Sequence, residues 1–162
     1  MSSGLIGGGA AIFFSQILNN INPDGKVLTI EIDPSIIDLS IKKYNNIELF
    51  VGSSVSDEAR AKIKNLINNH SGPIFCILDS DHSKDHVLAE MKLLREFLKK
   101  GDYLIVEDSN INGHPIFPGW GEGPYEAIEE YFKLYPEDYK RDTAREKKFG
   151  FTFAPHGFLI RK

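Results

Sequence analysis

Apolar and polar residues alternate with two different periods along the chain, and the two kinds of segment follow one another repeatedly. Short apolar runs bounded by turn residues predict strands. Longer amphipathic segments between them predict helices, because apolar residues recur there every three or four positions. The predicted strands are Lys26–Ile32, Ile47–Val51, Pro73–Leu78, Tyr103–Val106, Tyr139–Thr143 and Phe158–Arg161. The predicted helices are Gly9–Asn19, Ser35–Tyr44, Ser56–Asn69, Lys84–Lys99 and Pro124–Leu134.

This alternation of strands and helices predicts the fold class. Strand–helix–strand units build parallel sheets whose two faces are covered by helices. We therefore expect an α/β fold with a mostly parallel sheet. No linker, repeat or low-complexity stretch interrupts residues 1–162, so we expect a single domain. The helix Lys84–Lys99 has the clearest buried stripe, formed by Val87, Leu88, Met91, Leu94 and Leu98.

Acidic residues collect where two successive strands end. The strand Pro73–Leu78 is followed by Asp79 and Asp81, and the strand Tyr103–Val106 by Glu107 and Asp108. Parallel strands joined by a helix end at the same edge of the sheet, where open α/β folds bind ligands. Carboxylates gathered there repel one another unless a cation joins them, and oxygen ligands favour Mg²⁺ or Ca²⁺. Acidic residues often cap helices or end strands, and this structural role would account for one or two of the four. Four acidic residues at two adjacent strand ends are explained better by a metal site.

The net charge and the lengths of the apolar runs indicate which classes of partner the chain lacks. The chain has 162 residues and a net charge of -4, so it lacks the basic footprint of a nucleic-acid-binding protein. The one cysteine, Cys76, lies in a strand-like run and reads as a small buried apolar residue. No apolar run approaches membrane-spanning length. We expect a cytoplasmic protein with no nucleic-acid partner and no membrane partner.

Two further segments have the composition of a nucleotide-type binding site. Gly4, Gly8 and Gly9 precede the first helix, where glycines allow close approach of a ligand to the backbone. A tight turn is the alternative for them. Glu31 and Asp33 lie at the end of the predicted strand Lys26–Ile32. In nucleotide-binding folds an acidic residue at the end of this strand commonly binds ribose hydroxyls. Asp33 precedes Pro34 and suits a helix cap, which leaves Glu31 as the better ribose candidate.

The remaining candidates lie near the acidic strand ends. Lys84 begins a helix three residues after Asp81 and is a candidate general base, although such a lysine is more often a solvated surface residue. A long loop, Ser109–Gly123, carries His114 and Trp120, and loops of this length in compact domains are often functional. Packing of the loop on the core is the simpler explanation for its aromatic residues.

Taken together, these motifs make the chain resemble class I S-adenosylmethionine-dependent methyltransferases, and more closely the cephalosporin hydroxylase / rhamnosyl O-methyltransferase family. The resemblance runs from Gly4 to the tail around Phe158. Its most specific segments are residues 78–82, 106–108 and 121–127. It implies a Rossmann-like sandwich with an antiparallel C-terminal strand, and an O-methyltransferase that uses S-adenosylmethionine and Mg²⁺ on a hydroxyl of a small molecule or sugar. It also implies a tendency to form homo-oligomers.

The resemblance also implies roles for particular residues. The cofactor would be held by Gly4, Gly8, Gly9, Glu31, Ser54 and Asp79. Mg²⁺ would be held by Asp81, Glu107 and Asp108, and the acceptor would be covered by His114 and Trp120. Residues Asp81–Lys84 are also similar to the metal-site run of catechol O-methyltransferases, which implies adenine contact by His82 and general-base work by Lys84.

Two other interpretations stay open from the sequence. The family places a strand and helices before the glycine motif, and almost nothing precedes Gly4, so we expect the chain to lack those N-terminal elements. One alternative is therefore a truncated, non-catalytic domain. The other is a different Mg²⁺-dependent α/β enzyme, although the absence of a 2-His-1-carboxylate pattern argues against an iron oxygenase.

Overall fold

A computed structural model describes residues 8–162 of the chain, so the predicted cofactor residue Gly4 lies outside the described residues. The chain divides into two compact units, one ending at Gly72 and the other running from Pro73 to Lys162. The expectation of a single domain over residues 1–162 stays a prediction. Within the described part of the chain, every helix is too short or too polar to cross a membrane.

Among the described residues, the first unit contains two parallel strands and two α-helices, with two short 3₁₀ helices between the strands. The α-helices and strands in chain order are α1 (Gly9–Ile21), β1 (Val27–Glu31), β2 (Ile47–Val51) and α2 (Asp57–Asn68). The strands pair in register from Val27 opposite Ile47 to Glu31 opposite Val51. Helix α2 begins where the Ser56 hydroxyl accepts a hydrogen bond from the Ala59 amide, as the sequence predicts. The core of this unit contains Ala11, Leu28, Ile30, Ile41, Ala59 and Ile63.

The predicted helix Ser35–Tyr44 is wrong. The segment instead forms two short 3₁₀ helices, Pro34–Ile36 and Leu39–Lys43. Asp33 accepts a hydrogen bond from the Ser35 amide, and Asp38 accepts one from the Ser40 amide. The second aspartate caps a new turn in the middle of the expected helix, and its extended backbone breaks the helical path.

The second unit contains a four-stranded sheet and two helices that pack against each other. Its strands are β3 (Phe75–Leu78), β4 (Tyr103–Val106), β5 (Tyr139–Arg141) and β6 (Phe158–Arg161), in the sheet order β3-β4-β6-β5. β3 and β4 run parallel, whereas β6 is antiparallel to both of its neighbours. The helices are α3 (Lys84–Leu94), α4 (Pro124–Leu134) and the short α5 (Thr143–Glu146). The predicted α/β class, with parallel pairs and an antiparallel C-terminal strand, is confirmed.

Three boundaries in this unit differ from the prediction. Strand β3 begins at Phe75 instead of Pro73. Helix α3 ends at Leu94 instead of Lys99, and tighter turns follow, although Leu98 still reaches the core at 4% exposure. Strand β5 ends at Arg141 because Asp142 caps α5 by accepting a hydrogen bond from the Arg145 amide. Local capping therefore ends this strand two residues before the predicted boundary at Thr143.

The core of the second unit lies where α3 and α4 pack. The predicted stripe of α3, including Val87 and Met91, is buried, and so are Ile128 and Tyr131 of α4. The Asp138 carboxylate accepts hydrogen bonds from Tyr131 and from Arg95. This polar anchor joins the end of α4 to α3 and holds both helices beside the sheet.

Replacing Gly157 by alanine should destabilise the second unit. A Cβ at Gly157 would overlap the Val106 carbonyl oxygen, and the Val106 amide donates to the Gly157 carbonyl at 3.0 Å, so the strands cannot separate without losing that bond. We expect Gly157→Ala to lower the free energy of unfolding by about 1–3 kcal/mol, measured by urea denaturation. Gly9→Ala is the control, because no atom lies within 4 Å of its Cβ position and alanine favours helix. Equal stability of the two variants would contradict this account.

Candidate functional site

The ends of β3 and β4 bring the predicted acidic residues to one edge of the sheet. The parallel register aligns Leu78 with Val106, and the Glu107 amide then donates to the Leu78 carbonyl at 2.9 Å. This hydrogen bond extends the pairing one residue beyond the strands. Asp79 and Glu107 therefore leave the sheet side by side.

Asp79, His82 and Asp108 form the tightest group of potential metal ligands among the described residues. One ligand atom from each lies within 4.8 Å of the others. His82 Nε2 is 3.4 Å from Asp79 Oδ1 and 3.2 Å from Asp108 Oδ2. The hydrogen bond that His82 donates to Asp79, and then the charge of Asp108, raise the pKa of His82 despite its partial burial. In this arrangement the imidazolium neutralises part of the negative charge that the strand ends collect.

The pKa values of Glu107 and Asp108 are both raised, which shows that their ionised forms are disfavoured at this edge of the sheet. Burial, followed by the charges of Asp79 and Asp108, raises the pKa of Glu107 to about 7. Burial also raises the pKa of Asp108, whereas His82 opposes that effect. Asp108 has a left-handed backbone with φ of 51°, which aspartate tolerates better than most residues. Crowded, partly buried oxygen donors of this kind fit a hard divalent cation such as Mg²⁺.

Asp81 is not a member of the group formed by Asp79, His82 and Asp108. It is exposed, and its Oδ1 accepts a hydrogen bond from the Ser83 amide at 2.9 Å. The Ser83 hydrogen bonds lower the pKa of Asp81 and keep it ionised. The predicted ligand set of Asp81, Glu107 and Asp108 therefore stays a prediction, and the group formed with Asp79 and His82 contains one of its three members.

A buried carboxylate beneath the loop after β3 was missed from the sequence. Glu90 of α3 is 2% exposed, and its Oε1 accepts a hydrogen bond from the Ser80 hydroxyl at 2.9 Å. His86 Nε2 lies 3.5 Å from the same oxygen, and its pKa is raised by Glu90. Glu90 thus anchors the loop that carries Asp79 and His82. The signal for it is a glutamate on the apolar face of α3, three residues after Val87.

Lys84, the predicted general base, is paired with a carboxylate. Its Nζ lies 3.1 Å and 3.2 Å from the two carboxylate oxygens of Glu122. The hydrogen bond to Glu122 raises the pKa of Lys84. A base must be free of its proton, so the predicted role requires this pair to open. The Lys84 amide also donates to the Glu122 carbonyl, which fixes the loop 109–123 against the start of α3.

Glu126 organises the loop 109–123 from the first turn of α4. Its Oε1 accepts hydrogen bonds from Asn112 at 3.0 Å and contacts His114 Nε2 at 2.9 Å. Its Oε2 accepts the Gly123 amide at 2.7 Å. The His114 ring stacks on Tyr125 with centroids 3.6 Å apart. His114 is therefore held in place by a hydrogen bond to Glu126 and by stacking on an aromatic ring.

Trp120, the second predicted acceptor-site residue, is 57% exposed beside Phe117. The simpler expectation that these aromatic rings pack on the core does not hold for this pair, because Phe117 is 63% exposed. Exposed rings on a loop that the neighbouring helix fixes are available to a ligand.

The predicted cofactor residues of the first unit have their own local geometry. Gly8 precedes α1 with φ of 78°, a conformation that favours glycine, and Gly9 begins the helix. Glu31 Oε1 accepts hydrogen bonds from the amides of Ile32 and Asp33, at 2.8 Å and 3.1 Å. Ser54 is buried at 6% exposure. Asp33 acts as a cap, as expected, while Oε1 of Glu31 is held by the two backbone amides that follow it.

The full length of the chain matches one protein family. The profile of the family described as rhamnosyl O-methyltransferase/CmcI covers residues 1–162. The rhamnosyl O-methyltransferase of Mycobacterium tuberculosis (strain ATCC 25618 / H37Rv) is 56% identical over 155 residues, which are 95% of this chain and 63% of that protein. The rhamnosyl O-methyltransferase of Mycobacterium leprae (strain TN) is 53% identical over 156 residues, 96% of this chain and 67% of that protein.

A solved structure shares the fold. A CmcI structure described as "Mg-SAM" aligns with a TM-score of 0.69 at 20% sequence identity, covering 99% of this chain and 63% of that chain. At this identity the alignment establishes the fold and not the activity. The chain thus spans slightly less than two thirds of the length of the first relative and of this structure.

The stability of the second unit should fall as the pH rises from 5 to 8 in metal-free buffer. The pKa of Glu107 is about 7 in the fold and about 4.3 in an unfolded chain, so ionisation of Glu107 opposes folding over this range. His82 has the same effect: its raised pKa stabilises the fold below about 6.5, and that contribution is lost as the pH passes through the raised value.

Glu107→Gln should remove part of this dependence, because glutamine resembles the protonated acid. We expect the free energy of unfolding of the variant, relative to that of the parent, to be roughly 1–2 kcal/mol higher at pH 8 than at pH 5, after allowing for partial solvent screening. Urea denaturation with a chelator present measures this difference. Glu137→Gln, at a side chain that is 88% exposed, is the control and should change neither value. An equal effect of Glu107→Gln at both pH values would refute the assignment.

Proposed function

The chain belongs to the rhamnosyl O-methyltransferase/CmcI family, and on this premise we propose that it is an S-adenosylmethionine-dependent, Mg²⁺-assisted O-methyltransferase. The observation that carries the proposal is the acidic group at the ends of β3 and β4, in a chain that matches the family from residue 1 to residue 162. When bound, S-adenosylmethionine supplies the methyl group and Mg²⁺ supplies positive charge beside the acceptor oxygen.

The metal would be held at the acidic edge. Asp108 and Glu107 leave β4 there, and Asp79 leaves β3. The raised pKa of Glu107 supports this role, since it reflects the burial of this carboxyl group and, after that, the negative charges of Asp79 and Asp108 beside it. Asp81 remains a proposed ligand, since its exposed carboxylate is held by a Ser83 amide that it can release. His82 would turn from the carboxylates toward the cofactor once they are neutralised.

The residues proposed to bind the cofactor belong mainly to the first unit. Gly8 and Gly9 present the N-terminus of α1, where backbone amides favour a carboxylate such as that of a methionine moiety. Glu31 would accept hydrogen bonds from ribose hydroxyls with its second oxygen. Ser54 and Asp79 complete the proposed set, and Gly4 remains a proposed member outside the described residues.

The proposed acceptor is a hydroxyl of a sugar, of which rhamnose is the first example to test. The relatives are named rhamnosyl O-methyltransferases, which supports a rhamnosyl acceptor. His114 and Trp120 support it as well, because a fixed polar ring and an exposed aromatic ring suit the polar edge and apolar face of a sugar. Lys84 would take the hydroxyl proton after parting from Glu122.

Calorimetric titration is the direct test of the cofactor and metal assignments. We expect the chain to bind S-adenosylmethionine, and to bind Mg²⁺ at least about tenfold more tightly than the Asp108→Asn and Asp81→Ala variants do. The control is Asp85→Asn, which removes an exposed carboxylate in the first turn of α3 without touching the acidic group. A folded chain that binds no S-adenosylmethionine would favour the non-catalytic interpretation. Mg²⁺ binding without it would favour another Mg²⁺-dependent enzyme.

The role of Lys84 can be tested through its partner. If Lys84 is the base, Lys84→Met should lower the methylation rate of methyl rhamnoside by roughly 10²-fold or more. Glu122→Gln should move the rising limb of the pH–rate profile to lower pH, because Glu122 raises the pKa of Lys84. Glu58→Gln in α2 serves as the control and should leave the profile unchanged. Full activity of Lys84→Met would show that another group accepts the proton.

A further inference from the structure

The loop between α5 and β6 exposes three large aromatic side chains that the proposed function does not use. Phe149 is 83% exposed, Phe151 is 53% exposed and Phe153 is 58% exposed. Phe151 and Phe153 contact each other edge to face with centroids 5.4 Å apart. Gly150, between Phe149 and Phe151, has no atom within 4 Å of its Cβ position, so the loop stands clear of its surroundings there. Three neighbouring rings left in water are costly unless something covers them.

Basic side chains surround these rings. Residues 140–148 carry five basic and two acidic residues, although the whole chain has a net charge of -4. Arg145, Lys147 and Lys148 are exposed, and Lys148 Nζ lies 4.9 Å from the Phe149 ring centroid. The acidic Glu146 is turned inward, where its Oε2 accepts the His156 amide at 3.2 Å. The surface next to the phenylalanines is therefore positively charged.

We propose that residues 145–153, named here the aromatic–basic loop, bind the surface of an anionic lipid bilayer. The phenylalanine rings would enter the boundary between headgroups and acyl chains, while the lysines and the arginine would contact anionic headgroups. Lysine is depleted from protein–protein interfaces, so Lys147 and Lys148 directly before Phe149, with Lys148 over that ring, favour a lipid surface over a protein partner. The contact is peripheral and needs no membrane-spanning helix.

The proposal differs from the sequence expectation of no membrane partner. That expectation was based on the absence of a long apolar run, which bears only on segments that cross a bilayer. The rings instead alternate with small or polar residues in the sequence Phe149–Phe153. Their exposure, which only the structure gives, is what makes them available to a lipid surface.

The aromatic–basic loop lies at the same edge of the sheet as the acidic group. The Asn110 amide donates to the Phe153 carbonyl at 3.2 Å, and the Ser109 hydroxyl donates to the Pro155 carbonyl at 2.7 Å. These bonds join the loop to the two residues that follow Asp108. A lipid surface that met the loop would therefore lie beside the rim of the candidate site.

Sedimentation with vesicles tests the proposal without cofactor or acceptor, so its result is independent of the proposed methyl transfer. We expect the chain to bind phosphatidylcholine vesicles that contain phosphatidylglycerol, and to bind pure phosphatidylcholine vesicles at least about tenfold more weakly. Binding should weaken at about 0.5 M salt, where surface charges are screened. Trp120, the one tryptophan of the chain, lies in the neighbouring loop and should shift its emission to shorter wavelength on binding.

Two sets of variants separate the contributions of rings and charges. Combined Phe149→Ser, Phe151→Ser and Phe153→Ser, and separately combined Lys147→Glu and Lys148→Glu, should each lower vesicle binding by about tenfold or more. These side chains are exposed, so an unchanged urea midpoint should verify that both variants fold. The matched controls are Phe13→Ser, at a ring that is 58% exposed in α1, and combined Lys99→Glu and Lys100→Glu, at the opposite edge of the sheet.

Several outcomes would overturn the proposal. They are no binding to anionic vesicles, full binding by the phenylalanine variant, and an equal loss of binding by the control lysine pair. Another is a phenylalanine variant that sediments as a smaller assembly than the parent while neither binds vesicles. In that case the aromatic–basic loop would be a contact between copies of this chain.

Discussion

The parallel pairing of β3 and β4 is the constraint on which the rest of the candidate site depends. Backbone hydrogen bonds fix the register of these strands, and the bond from the Glu107 amide to Leu78 carries that register into the following residues. The carboxylates of Asp79, Glu107 and Asp108 must then share one edge, whatever their mutual repulsion. Two features reduce this repulsion: the imidazole of His82 lies beside the carboxylates, and the raised pKa of Glu107 keeps this residue partly protonated near neutral pH. Any cation that replaces those protons also stabilises the fold, because it binds only the assembled edge.

Hydrogen bonds from the residues after Asp108 connect this edge to the rest of the second unit. Ser109 and Asn110 are both fully buried, and each binds a backbone carbonyl in the segment before β6. On the other side, Glu90 holds the loop after β3 through Ser80. The acidic group is therefore bordered by two loops, each tied to a neighbouring segment through buried polar residues. Rigid borders of this kind preserve the spacing of ligands before a metal or substrate arrives.

The sequence is sufficient to predict the architecture of the second unit because its signals are local and agree with one another. Strand β4, helix α4 and strand β6 begin and end where the pattern predicts. The prediction fails between Ser35 and Tyr44, because Asp38 caps a new turn in the middle of the segment and overrides its apolar pattern. Contacts between distant residues are harder to foresee. The pairing of Lys84 with Glu122 joins positions 38 residues apart, and no periodicity encodes it. Exposure is equally hidden, since the phenylalanines before β6 resemble an ordinary strand until their surroundings are known.

The position of Glu126 has a consequence for how such a site can diversify. This carboxylate, on the first turn of a helix, receives the backbone of Gly123 and the side chains of Asn112 and His114. Glu126 thus holds the loop through Gly123, Asn112 and His114, whereas the exposed rings of Phe117 and Trp120 take no part in these hydrogen bonds. Substitutions of these two rings can accumulate without unfolding the scaffold. A lineage could therefore exchange one acceptor for another by neutral drift in the loop, while selection on Glu126 and on the acidic edge preserves the chemistry.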